Sequence, residues 1–124
     1  MQSPMKRIMV VDDDTDYLAA MKGFLKQSGY EVAVTTSCDE GLLILISFAP
    51  HLIFLDIDVG AQDGREMCRK IKSMADHKHI PIILVSGNYS ALETYKTYQA
   101  DEFLKKPFEP SELLNLASSH LTAH

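Results

Sequence analysis

Short apolar runs and amphipathic segments alternate along the whole chain, and no other feature restricts its fold so tightly. The runs lie at 7–11, 31–35, 51–55, 80–85 and 102–104. Each is too short for a stable helix and bounded by turn-forming residues, so each reads as a strand. The intervening segments carry apolar residues at helical spacing. Tyr17, Leu18, Met21, Phe24 and Leu25 form one face of a helix starting near Asp14, whose short acidic side chain can cap free amides, and Gly29 suits the position just past its end. Further helices are expected over 39–48, over 64–75 with Met67, Cys68, Ile71 and Met74 on one stripe, over 90–99, and after Pro110, burying Leu113, Leu114, Ala117 and Leu121. Alternating strands and helices are repeated βα units, which build a parallel sheet with helices on both faces. Five strands are too few to close a barrel, so the expected fold is α/β, a doubly wound three-layer sandwich.

The 124 residues fit one domain, 1–124, with a core over about 6–122 and no room for an output domain. A hydrophobic fraction of 46% and a charged fraction of 23% argue against disorder. The net charge of −5, without any basic block, excludes a nucleic-acid surface and a polybasic membrane anchor. The longest apolar stretch, 42–49, is interrupted by Ser47, stopped by Pro50, and far short of the roughly 20 residues that span a bilayer. The N-terminal residues run straight into a strand, so a cytoplasmic location is expected. Cys38 and Cys68 lack metal-ligand spacing and read as buried thiols.

Polar groups gather where the strands end. Asp12, Asp13 and Asp14 follow the first strand, Asp56 the third, Ser86 the fourth and Lys106 the fifth. Singly these are a helix cap, a turn carboxylate, a loop serine and a surface lysine. In a parallel sheet, however, the C-terminal strand ends share the edge where ligands bind. Two carboxylates 4 Å apart repel by roughly 4 kcal/mol at an effective dielectric near 20, so a cation must sit among them.

In these residues the chain resembles the receiver domains of two-component response regulators. The resemblance covers almost the whole length and rests on Val11-Asp12-Asp13-Asp14, Leu55-Asp56 followed by Asp63-Gly64, Ile82-Ile83-Leu84-Val85-Ser86-Gly87, and 100–108 ending in Lys105-Lys106-Pro107-Phe108. It implies a flavodoxin-like strand order 2-1-3-4-5. It implies that Asp56 is the phospho-acceptor, and that Asp12, Asp13, Asp56 and the backbone carbonyl of Asp58 hold Mg²⁺ or Mn²⁺, hard cations suited to oxygen donors. Ser86 and Lys106 would bind the phosphoryl group, Ser86 and Phe103 would form the switch, and the Lys106-Pro107 bond would be cis. The implied donor is a phosphohistidine on a sensor histidine kinase or histidine phosphotransfer protein. The implied readout, to a homodimer mate or a downstream protein, is the surface of the fourth helix, fifth strand and fifth helix, with Tyr89, Tyr95 and Tyr98 on or beside it. Such a domain is a phospho-acceptor that catalyses only its own phosphorylation and dephosphorylation, not an enzyme with a separate substrate.

Three positions depart from the family's pattern. Gly60 replaces a common proline, which predicts a looser 57–63 loop. Asp58 is charged where many members are not, which predicts an altered phosphoryl lifetime. Gly87 and Asn88 follow Ser86. Leu42 through Ile46 are five consecutive apolar residues that cannot all face the sheet, so one or two should be exposed and could form a partner or dimer surface. A rival reading is a haloacid-dehalogenase-like phosphohydrolase with Asp56 as nucleophile and Asp58 as acid/base. That family's nucleophile usually ends its first strand and its metal-binding acids come late, the reverse of the order here. A flavodoxin-like cofactor carrier would need a phosphate-cradling first loop, where this chain has carboxylates.

Overall fold

The computed structural model describes residues 4–121. In chain order the elements are β1 (Arg7–Val11), α1 (Thr15–Gln27), β2 (Glu31–Thr35), α2 (Cys38–Phe48), β3 (Leu52–Asp56), a hairpin of β4 (Asp58–Val59) and β5 (Gln62–Asp63), α3 (Gly64–Lys72), β6 (Ile82–Ser86), α4 (Tyr89–Leu92), β7 (Glu102–Lys105) and α5 (Pro110–Leu121). Five strands form a parallel sheet in the order β2-β1-β3-β6-β7, which is 2-1-3-4-5 when the hairpin is left out. This is the expected flavodoxin-like fold.

Alternate residues of each central strand enter opposite layers, as the period of two requires. Met9, Val11, Ile53, Leu55, Ile82 and Leu84 pack beneath Leu45 of α2, Met67, Cys68 and Ile71 of α3, and Leu92 of α4. Ile8, Val10, Leu52, Phe54, Ile83 and Val85 pack beneath Leu18, Met21 and Leu25 of α1 and Leu113, Ala117 and Leu121 of α5. Each fully buried aliphatic side chain contributes about 1.5–3 kcal/mol relative to exposure, so the two layers fix the register that aligns the polar strand ends.

The local signals act as expected at α1 and α5. Asp14 caps α1 by accepting from the amides of Asp16 and Tyr17, and Gly29 follows the helix at φ 97°. Helix α5 begins at Pro110. The apolar faces are narrower than the sequence suggests: Phe24 is exposed, and Tyr17, Met74 and Leu114 are only half-buried.

The largest correction concerns the fourth helix, expected over 90–99. Only Tyr89–Leu92 is helical. Thr94, Tyr95, Thr97 and Gln99 then bond three residues back, to Ala91, Leu92, Thr94 and Lys96, and Gln99 adopts φ 67°. β-Branched and aromatic residues are weak helix formers, and this run has two threonines and two tyrosines within five positions. Helix α3 stops at Lys72 instead of 75, where the Ser73 hydroxyl takes the Lys70 carbonyl at 2.6 Å. The fourth strand starts at Ile82, because Pro81 has no amide to give. Within the 57–63 loop, two short strands pair antiparallel, Val59 is buried, and Gly60 takes φ 60° at the turn. The expected core limit at residue 122 lies outside the described residues. No helix among them is long and apolar enough to cross a membrane.

Candidate phospho-acceptor site

Strands β1 and β3 are neighbours, and their register sets Val11 beside Leu55, so Asp12 and Asp56 emerge side by side at the C-terminal edge. Both are buried, with 1% and 7% of their surface exposed. Lys106 reaches them from the loop after β7. Its Nζ lies 2.7 Å from Asp56 Oδ2 and 2.8 Å from Asp12 Oδ2, joining residues 50 and 94 positions apart. The Lys106-Pro107 peptide bond is cis, as expected. The remaining carboxylate oxygens meet backbone amides: Asp14 N–H donates to Asp12 Oδ1 and Asp58 N–H to Asp56 Oδ1, both at 2.9 Å.

One ammonium between two buried carboxylates leaves negative charge uncompensated. Burial, followed by the hydrogen-bonded Asp56 neighbour, pushes the Asp12 carboxyl up to about 6, against the downward pull of Lys106 and the Asp14 amide. Burial alone would lower the Lys106 pKa, but its bonds to Asp12 and Asp56 outweigh that and hold it above the usual lysine range. The lysine is also held from the side by a residue that sequence reasoning placed on the core face of α1. The Tyr17 ring centroid is 4.1 Å from Lys106 Nζ, and Phe108 meets Tyr17 edge-on at 6.3 Å. Burial, followed by the charges of Asp12 and Asp56, raises the Tyr17 phenol, whose oxygen is buried without a hydrogen-bond partner. Nothing in a helical stripe distinguishes a ring that meets an ammonium from one that meets a leucine.

The other candidate residues stand further out. Asp13 is exposed and turned toward the hairpin, where its Oδ2 accepts from Gly60 N–H at 3.2 Å. The Asp58 side chain is exposed. Ser86 is buried and pairs with Lys105 across β6 and β7, and its hydroxyl accepts from Asn88 N–H at 3.0 Å. Phe103 is half-buried, with Tyr89 and Tyr95 edge-on at 5.9 and 5.2 Å. Among the described residues no three acidic, histidine or cysteine side chains converge closely enough to grip an ion. The oxygen donors suit a hard cation in kind.

Gly64 has a steric reason that spacing does not reveal. A Cβ there would stand 1.9 Å from the Asp56 carbonyl oxygen, so the first residue of α3 packs directly on the backbone of Asp56. Its amide donates to the Ile57 carbonyl at 2.7 Å.

The response regulator receiver domain family matches residues 8–118, and the chain belongs to that family. Among curated relatives, the response regulator MprA of Mycolicibacterium vanbaalenii is 34% identical over 110 residues, covering 87% of this chain and 47% of the relative. The chain therefore spans about half the length of that relative. A putative response regulator from Chloroflexus aurantiacus superposes with a TM-score of 0.90 at 27% identity, covering 97% of this chain and 100% of that one. The receiver domain of NtrX from Brucella abortus gives 0.86 at 30% identity, covering 94% and 99%. This membership displaces the phosphohydrolase and cofactor-carrier readings.

Proposed function

We propose that this receiver domain works in the cytoplasm and takes a phosphoryl group onto Asp56 from a phosphohistidine of a sensor histidine kinase or histidine phosphotransfer protein. One observation carries the reading: the Lys106 ammonium bridges the buried Asp56 and Asp12 carboxylates. In the transfer, an Asp56 carboxylate oxygen forms a bond to phosphorus. The phosphorus–nitrogen bond of the donor breaks, and the imidazole nitrogen keeps its electron pair. Lys106 neutralises charge gathering on the phosphoryl oxygens, and the Ser86 hydroxyl, which accepts from the Asn88 amide and keeps its own O–H to give, can donate to one of them. Asp12, Asp13, Asp56 and the Asp58 carbonyl would hold Mg²⁺ or Mn²⁺, which supplies further charge neutralisation when bound.

The domain then acts as a switch, not as an enzyme with a separate substrate. Phosphorylation adds charge and acceptor oxygens beside Ser86, enough to bias an element whose two arrangements differ by a few kcal/mol. Phe103, packed against Tyr89 and Tyr95, links that change to the face of α4, β7 and α5, where a downstream protein or a second copy would dock. No nucleic acid or membrane contact is part of this reading.

Incubating the protein with a small phosphodonor and Mg²⁺ tests it. Intact mass should rise by one phosphoryl group per chain and fall back slowly, and Asp56→Asn should take up none. Many turnovers on phosphate monoesters, or undiminished labelling of the Asn variant, would refute the assignment.

A further inference from the structure

A second chain of contacts leaves the acceptor without passing through Ser86 or Phe103. Asp58 N–H donates to Asp56 Oδ1 at 2.9 Å, and Asp58 is the cross-strand partner of Asp63 in the hairpin. The Asp63 carboxylate caps α3 through the Arg65 amide at 2.9 Å and grips the Arg65 guanidinium through both oxygens, with Nη2 at 2.9 Å and Nε at 3.1 and 3.2 Å. Those bonds hold the Asp63 carboxyl below its usual range and raise the arginine. Arg65 Nη1 then donates to Thr94 Oγ1 at 3.1 Å, and its guanidinium carbon lies 5.0 Å from the centroid of Tyr98. Arg69, one turn along α3, approaches the same ring at 4.4 Å.

These contacts land on the run where the fourth helix fails. Beyond Leu92 the backbone is a series of single turns, most closed by an amide bonding three residues back, so side-chain tethers must help to fix its position. One tether is Tyr95 on Phe103; the other is Thr94 and Tyr98 on Arg65 and Arg69. A guanidinium is suited to the second role, because its planar fork can hold a carboxylate on one edge and still offer a donor and a face elsewhere.

We infer that Arg65 is a positioning residue that transmits the state of Asp56 to the 89–99 segment through the hairpin, by a route that does not pass through Phe103. The inference rests on Asp56 being the phospho-acceptor. Phosphorylation moves the negative charge from the Asp56 carboxylate to the phosphoryl oxygens, so the charge-assisted bond from Asp58 N–H changes, and the hairpin carries Asp63 and Arg65 with it. The adjacent Gly64 contact with the Asp56 carbonyl leaves little slack at this junction.

Backbone amide shifts of the full chain, recorded with and without beryllium fluoride and Mg²⁺ as the phosphoryl probe, test the route. In the wild type, amides beside Asp56 and those of Thr94 and Tyr98 should all respond. In Arg65→Gln the response beside Asp56 should persist while that of Thr94 and Tyr98 falls about two-fold or more, and a double-mutant cycle with Phe103→Ala should give nearly additive losses. Thr94→Val, a near-isosteric change at a half-buried position, should reproduce the loss at Thr94 and serves if Arg65→Gln folds poorly. Full response of Thr94 and Tyr98 in the variants, or its complete abolition by Phe103→Ala alone, overturns the inference. No response beside Asp56 in the wild type would refute the acceptor reading, and this route with it.

Discussion

Asp12 carries the clearest cost at the level of single residues. Its folded pKa of about 6 lies above the value near 3.9 of an unfolded aspartate, so the folded protein binds the additional proton between those limits. Stability associated with Asp12 is therefore fully present below about pH 4 and is lost as pH rises through 6. Asp12→Asn keeps an acceptor for the Asp14 amide and removes one of the two charges competing for Lys106. In metal-free urea titrations at pH 7 it should be more stable than wild type by about 1–2 kcal/mol, with a flatter profile between pH 4 and 6. A variant that is less stable at pH 7, or that keeps the wild-type slope, would contradict this charge assignment. Asp58 belongs to the same scale: its carboxylate is exposed, and if it orients water at the proposed acyl phosphate or strengthens metal binding, Asp58→Asn should change the rate of phosphoryl loss by about ten-fold or less. Equal decay rates and equal metal affinity would leave it a solvated loop residue.

Backbone geometry decides the outcome at the level of elements. Helix α2 ends on Ala49 at φ 52°, a left-handed conformation that favours glycine, and Ala49 N–H still closes the helix on Leu45. Ala49→Gly should therefore stabilise the protein by about 0.5–1 kcal/mol, read from the urea midpoint. Gly64→Ala should act in the opposite sense, by about 3 kcal/mol or more, because the added methyl meets the Asp56 carbonyl and backbone must move. A mild effect would mean that the α3 junction yields easily. The apolar run of α2 resolves as its periodicity requires: Leu45 is buried, Leu42 and Ile44 are half-buried, and Leu43 and Ile46 are 70% and 66% exposed. That pair is the natural place to seek a second docking face.

For the whole molecule, the proposed metal binding would be linked to the fold by mass action. A ligand that binds only the folded state adds about 2.7 kcal/mol at one hundred times its dissociation constant. Mg²⁺ should accordingly raise the thermal midpoint of the wild type, and Asp13→Asn should lose most of that gain although Asp13 touches neither Asp56 nor Lys106 in this arrangement. An unchanged gain would place the ion elsewhere. The two layers of the sandwich also explain how the site tolerates its charge: the core of β1, β3 and β6 holds the strand ends in register whether or not their carboxylates repel.

The alternation of strands and helices and the shared edge were legible because apolar runs of strand length and helical stripes differ in period, and each period buries only one kind of element, whereas the strand order followed from the family resemblance. The polar residues at the strand ends stood out for the same reason, since a carboxylate directly after a buried run has few places to go. Three features came only from the tertiary structure. Lys106 chose Asp12 and Asp56 together, while Asp13 turned to Gly60, because side-chain direction at a strand end depends on neighbours far away in sequence. The fourth helix shortened at a run of weak helix formers whose side chains the fold engages from two sides, Tyr95 on Phe103 and Thr94 and Tyr98 on Arg65 and Arg69. Tyr17 and Arg65 took their roles from what the fold brought against them, a lysine 89 residues later and a threonine 29 residues later, and no local pattern encodes such a meeting.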